Sequence, residues 1–274
     1  MRLHRRTFTT ALGAGLLGAG LRAGAQADDD AALQAAVAGP ARSAANRARD
    51  GARHPYETLR FFDVRPVHVV LELAPGAGWY TEILAPYLRE RGRLIAAHYA
   101  RDDAQDYRRR SRAAFDDKLA RDPPWYDRVR VVTLTRDATW PELEPASVDR
   151  VLTFRNLHNW LEDGTLDARL QAFHRVLRPG GVFGVVDHRA APGTPLAQQQ
   201  RSGYLTEDLV AERLTSAGFA FDASTEVNAN PRDTRDHRDG VWSLPPTLRS
   251  GDVERARYLA IGESDRFTQR WRRR

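Results

Sequence analysis

"LELAPGAGWYTEIL", residues 71–84, runs from a short apolar segment through two glycines into helix-forming text. The apolar part completes "HVVLEL" at 68–73, a β-branched run stopped by Ala74-Pro75-Gly76, which reads as a buried strand ended by a turn. "WYTEILAPYLRERG" then reads as a helix closed by Gly92. Small residues at 76 and 78 let a ligand approach the main chain, and a helix N-terminus beside them offers free N–H groups to a negative group. The competing explanation is a purely structural turn.

Working outward, "RLIAAHY" (93–99) is a second strand, and residues 104–121 are a charged helix. "RVRVVTL" (128–134) and "VDRVLTF" (148–154) are the third and fourth strands. "TLDARLQAFHRVL" (165–177) sets Leu166, Leu170, Phe173 and Leu177 on one helical face, "RPGG" stops it, and "VFGVVDH" (182–188) is a fifth strand. "TEDLVAERLTSAGF" opens with a capping Thr206 and closes at Gly218, with further strand-like text at 219–227 and 266–271. Strands alternating with helices imply right-handed crossovers, and strands apolar on both faces imply burial on both. The expected fold is α/β: a doubly wound, mostly parallel seven-stranded Rossmann-like sheet with helices on both faces. It forms one domain over residues 28–274, with an N-terminal helical segment at 28–62 broken at Gly39-Pro40 and Pro55. In such a sheet, ligands sit at the carboxyl ends of the strands, at the switch point.

The N-terminus has its own signature. Arg2, Arg5 and Arg6 precede an uncharged apolar run from Ala11 to Leu21, and Ala25 and Ala27 stand at small-residue positions before a cut. Residues 1–27 therefore read as a cleavable export signal, and Arg5-Arg6 followed by "TF" resembles the twin-arginine type. An ordinary secretory signal or an uncleaved anchor is the alternative. The expected location is periplasmic or secreted. Losing the four arginines of residues 1–27 leaves 38 of the 42 basic residues against 36 acidic ones. A net charge near +2 gives no case for nucleic-acid binding. No run of about 18 apolar residues follows the signal, so no membrane span is expected. Zero cysteines exclude disulfides and thiol catalysis.

A dinucleotide-binding turn wants G-x-G-x-x-G, but the third position, 81, holds threonine, which argues against a nicotinamide oxidoreductase. The same loop is similar to E-x-A-P-G-x-G, the first motif of class I methyltransferases, which bind S-adenosylmethionine. "SVDRVLTFRNLHNW", "FHRVLRPGGVFGVVDH" and "YLTEDLVAERLTSAGF" resemble, in order, the fourth strand with its loop, the passage into strand five, and the element after it. The chain also resembles a family of predicted exported bacterial methyltransferases, through "PGAGWYTEILAPYL", "TFRNLHNWL", "NANPRDT" and "IGESDRF", over roughly residues 40–271.

The resemblance implies that Glu72, Ala74, Gly76 and Gly78 line the methionine end of the donor, with Arg155 and Asn156 beside them. Strand two of that family ends in an acid that holds the ribose hydroxyls. Here His98 or Tyr99 stands in its place, with Asp102 and Asp103 following. Asp137 and Ala138 fall where the adenine amine is contacted, or else form a surface turn.

Methyl transfer is an in-line displacement, so the protein must align the reactants, exclude water and supply a base if the acceptor loses a proton. His158, Asp187 and His188, at strand ends, are the catalytic candidates; the alternative is that the histidines only orient loops through hydrogen bonds. Asn230, Asp233, Glu263, Asp265 and Arg266 form either an acceptor wall or buried ion pairs. Trp79, Tyr80 and Trp160 flank the pocket or fill the core. A metal held by His158, His188, Asp233 and His237 would match no standard ligand spacing, and none is expected. The expected function is methyl transfer from S-adenosylmethionine to a small-molecule acceptor. The alternative is a non-catalytic periplasmic protein that binds a small ligand on the same fold.

Overall fold

The computed structural model describes residues 15–136 and 139–274. The arginines of the expected signal (Arg2, Arg5, Arg6) and the pair Asp137 and Ala138 lie outside the described residues. A helix, Gly15–Ala38, runs through the expected cut after Ala27. No helix among the described residues is long and apolar enough to cross a membrane.

Seven strands make one sheet: β1 Val69–Leu73, β2 Arg93–His98, β3 Arg130–Thr133, β4 Val148–Phe154, β5 Leu177–His188, β6 Phe219–Thr225 and β7 Arg266–Arg273. Their order is β3-β2-β1-β4-β5-β7-β6. β1 to β5 pair in parallel. The expected parallel character ends at β7, which runs antiparallel between β5 and β6. The helix Glu207–Ser216 lies between β5 and β6 in the chain, but the passage from β6 to β7 has only the short helix Arg255–Ile261 and a 3-10 turn. Without a crossover helix on the sheet, β7 returns as the second arm of a hairpin. Leu177 already pairs with Val148 before a register shift, so β5 starts earlier than "VFGVVDH" and carries the turn residues Arg178 to Gly181 inside it.

Alternation along the strands separates two cores. Leu71 and Leu73 face one side with Val151, Phe183 and Val185. Val70 faces the other with Leu152, Val186 and residues of the helix Thr81–Leu88. Each such side chain contributes roughly 1.5–3 kcal/mol by leaving water. Glu72 shares the parity of Val70 yet is a carboxylate, 1% exposed. The N-terminal segment closes this second face. Phe62 lies flat over Gly184, where a Cβ would come within 2.7 Å of its ring, and Arg150 donates to the carbonyls of Phe62 (3.1 Å) and Asp63 (2.8 Å). That packing brings residues 42–53 over the ends of β1 and β4.

Candidate active site

The strand order reverses between β1 and β4, and a recess of about 240 Å³ opens at their carboxyl ends. Glu72, Ala74, Gly76, Arg155 and Asn156 line it, together with Asn46, Arg49 and Arg53 from the N-terminal segment and Trp79, Tyr80 and Phe154. Ala74 (φ 43°) and Arg155 (φ 63°) are non-glycine residues in left-handed backbone, one at the end of each strand. Such conformations cost roughly 1–3 kcal/mol and cluster at functional sites. Gly76 also has positive φ (61°), and a Cβ there would meet nothing within 4 Å, so its open side is the recess itself. Asn156 ties the two strands together: its amide donates to the Leu73 carbonyl (3.1 Å) and to Thr153 Oγ1 (3.2 Å).

Glu72 forms the floor. It accepts a hydrogen bond from Thr81 Oγ1 at 2.7 Å. Burial pushes its carboxyl up to about 7, against a smaller downward pull from that hydroxyl. Tyr80 stacks on Phe154 with ring centroids 3.6 Å apart, and Trp79 meets Tyr80 edge-on. Trp160, by contrast, is fully buried and packs on Phe173, away from the recess.

The far side of the glycine turn is filled. A Cβ on Gly78 would come within 3.0 Å of Lys118 Cδ and 3.3 Å of Phe115, both on the helix Asp106–Arg121. Both ring nitrogens of His98 are engaged: Nε2 donates to the Gly76 carbonyl (3.0 Å) and Nδ1 accepts from Tyr99 N–H (2.8 Å). Burial lowers its pKa to about 4, so the ring is neutral. Tyr99 is buried with Arg108 over its ring, and Arg108 pairs with Asp163 at 2.8 Å, closing this end. Asp103 accepts from Gln105 N–H, away from the turn.

A second recess, about 190 Å³, is lined by Arg155, His158, Asn159, His188 and Trp242. Asp187 stands behind it, fully buried, accepting from His158 Nδ1 (2.8 Å), Leu157 N–H (2.8 Å) and His188 N–H (2.8 Å). With Nδ1 donating, His158 keeps Nε2 as the basic nitrogen. His188 Nδ1 meets Ser264 Oγ at 2.5 Å. Burial, with the neighbouring His158 and the Arg155 guanidinium adding to it, holds His188 well below its usual pKa. His158, Asp187 and His188 are within reach of one another, and the carboxylate of Asp187 accepts from three donors, two on Oδ1 and one on Oδ2.

The polar C-terminal residues form ion pairs among themselves and with the N-terminal segment. Glu263 pairs with Arg49 (2.6 Å), Arg53 (3.2 Å) and Arg266 (3.3 Å). Asp233 pairs with His237 (2.8 Å), and Asp265 with Arg235 (2.8 Å). His174 sits against Gly218 and Phe219. Sequence reasoning missed Asn46, Arg49 and Arg53. Nothing local marks them, because they meet the strand ends only through the docking of Phe62 and Asp63.

Residues 71–185 match the family model described as Methyltransferase domain. No curated relative matches the sequence. Among solved structures, a SAM-dependent methyltransferase from Aquifex aeolicus is 21% identical (TM-score 0.52; 66% of this chain, 87% of that one). A sarcosine dimethylglycine methyltransferase of Galdieria sulphuraria is 15% identical (TM-score 0.55; 82% and 84%). The glycopeptide N-methyltransferase MtfA, solved with sinefungin, is 17% identical (TM-score 0.51; 82% and 94%). Residues 71–185 thus match a methyltransferase family model, and the chain shares the fold of these solved methyltransferases. Domain and fold together support a class I S-adenosylmethionine-dependent methyltransferase.

Proposed function

We propose that the protein transfers a methyl group from S-adenosylmethionine to a small-molecule acceptor, after export as a folded protein by the twin-arginine route. The observation that carries the reading is the recess at the switch point, where Ala74, Gly76 and Arg155 hold left-handed backbone around the buried acid Glu72. Its residues suit the amino-acid end of the donor. Glu72 would hold the ammonium, while one arginine and the N–H groups opening the helix Thr81–Leu88 would hold the carboxylate. The bound donor supplies an electrophilic methyl group on sulfur. His158 takes the acceptor's proton at Nε2, and Asp187 fixes the ring and stabilises the imidazolium that results. Arg155 lines both recesses and so stands where donor and acceptor would meet.

Two observations favour a second reading, a non-catalytic binding protein: His98 stands where the ribose-binding acid is expected, and Phe115 and Lys118 fill the space beside Gly78. Calorimetric titration with S-adenosylmethionine and S-adenosylhomocysteine, followed by a methyl-release assay over candidate acceptors, separates the two. Binding without turnover supports the second reading, and no binding at millimolar ligand removes the first. Fractionation of the source cells with N-terminal mass analysis tests export: an uncut N-terminus in the cytoplasm overturns it.

A further inference from the structure

The recess carries more positive charge than the donor can use. Arg49, Arg53 and Arg155 line it, and Arg266 stands close behind, bonded to the Ala52 carbonyl. The acid shared within this group is Glu263, which pairs with Arg49, Arg53 and Arg266. Burial opposes ionisation of Glu263, but the four arginines outweigh it and hold the carboxyl at about 2. Four guanidinium groups thus share the negative charge of Glu263, with Asp187 attracting Arg155 more weakly.

Two of the four stand out: one is buried without a full set of partners, and the other is half-buried and makes no side-chain bond to the described residues. Arg53 is 5% exposed, and its Nη2 has no hydrogen-bond partner. Its guanidinium stacks on Trp79 at 4.8 Å, with Arg42 also stacked on that ring at 4.7 Å. Arg155 has no side-chain hydrogen bond or ion pair among the described residues, although its backbone is held in a strained conformation. Burial, then repulsion from Arg155, lowers Arg53 to about 9, and burial lowers Arg155 to about 10. Guanidinium groups left in this state call for an oxyanion, which the planar fork binds through paired hydrogen bonds.

The donor does not supply enough negative charge. Its carboxylate would neutralise one arginine, its ammonium would be matched by Glu72, and its sulfonium would add a positive charge. We infer that the acceptor bears an oxyanion, a carboxylate or phosphate, seated on Arg53, Arg155 and Arg49 at the mouth of the recess. The word acceptor rests on the methyltransferase reading; the anion seat does not.

The test is calorimetric titration of the full chain in low-salt, chloride-free buffer with inorganic phosphate and, separately, with succinate. At least one of the two binds the unaltered protein. Arg155→Gln, which breaks no side-chain hydrogen bond or ion pair among the described residues, weakens that binding tenfold or more. Glu263→Gln, which removes the shared acid, strengthens it, a change of sign that loss of folding would not produce. Preference for phosphate marks a phosphorylated acceptor and preference for succinate a carboxylic one. The inference is overturned if neither anion binds, or if Arg155→Gln leaves the affinity unchanged. S-adenosylhomocysteine titrated into the same samples reports separately on the donor. Anion binding without it keeps the seat and removes the methyltransferase reading, and the converse does the opposite.

Discussion

Glu72→Gln should stabilise the protein, and only above weakly acidic pH. Glu72 is 1% exposed, and its one hydrogen bond comes from Thr81. Burial raises its pKa from 4.5 to about 7. An acid whose folded pKa lies above its unfolded value keeps its proton longer in the folded state. The contribution of Glu72 is therefore greatest below about pH 4.5, declines between about 4.5 and 7, and stays reduced above. At about 1.4 kcal/mol per pKa unit, that gap is worth about 3 kcal/mol. Glutamine keeps the shape and the acceptor oxygen for Thr81 but never ionises. Urea unfolding midpoints should coincide for the two proteins near pH 4.5, with the variant gaining up to about 3 kcal/mol near pH 8. A difference that stays constant over this range would refute the reasoning, because it would mean that Glu72 does not titrate between those limits. The gain has a functional counterpart. If an ammonium seats on Glu72, binding near pH 7 should release a proton, visible as a buffer-dependent calorimetric enthalpy that the variant loses.

Three further outcomes follow from the geometry. Gly76→Ala places a methyl group in open recess at φ 61°, so it should cost roughly 1–2 kcal/mol of stability yet abolish S-adenosylhomocysteine binding; unchanged affinity would remove the recess from the donor site. His158→Gln should lower kcat about 10²–10⁴-fold while S-adenosylhomocysteine affinity holds, since His158 lines the other recess; a rise in Kd with kcat unchanged would contradict its role as base. Gly184→Ala drives a Cβ to 2.7 Å from the Phe62 ring, an overpacking of about 1–3 kcal/mol by urea unfolding, and Phe62→Leu in the same chain should recover part of it.

What could be read from the sequence, and what could not, divides along physical lines. β1 and β2 were legible because strands buried on both faces leave continuous apolar runs, and the glycine turn was legible because positive φ selects residue type at 76 and 78. The start of β5 was not: Pro179 and the two glycines after it read as a stop, yet Leu177 is already extended against Val148. His98 was placed at the right strand end, but its sequence position cannot show that Gly76 and Tyr99 engage both ring nitrogens. Arg49 and Arg53 could not be found at all, since their acid, Glu263, lies more than 200 residues further along the chain.

The electrostatics of the recess work against folding in two opposite ways. Glu72 is a buried acid with no cation beside it, and Arg53 and Arg155 are cations with too little acid around them. Moving either toward the other would relieve both, and a fold selected for stability alone would pair them. Instead the open space of the recess separates them, and left-handed backbone at Ala74 and Arg155 holds the strand ends on either side. A molecule that carries an ammonium toward Glu72, together with one that carries an oxyanion toward the arginines, neutralises both sets of charges at once. The stability lost at this point is thus available as binding energy, and it is available only to ligands with charges in that arrangement.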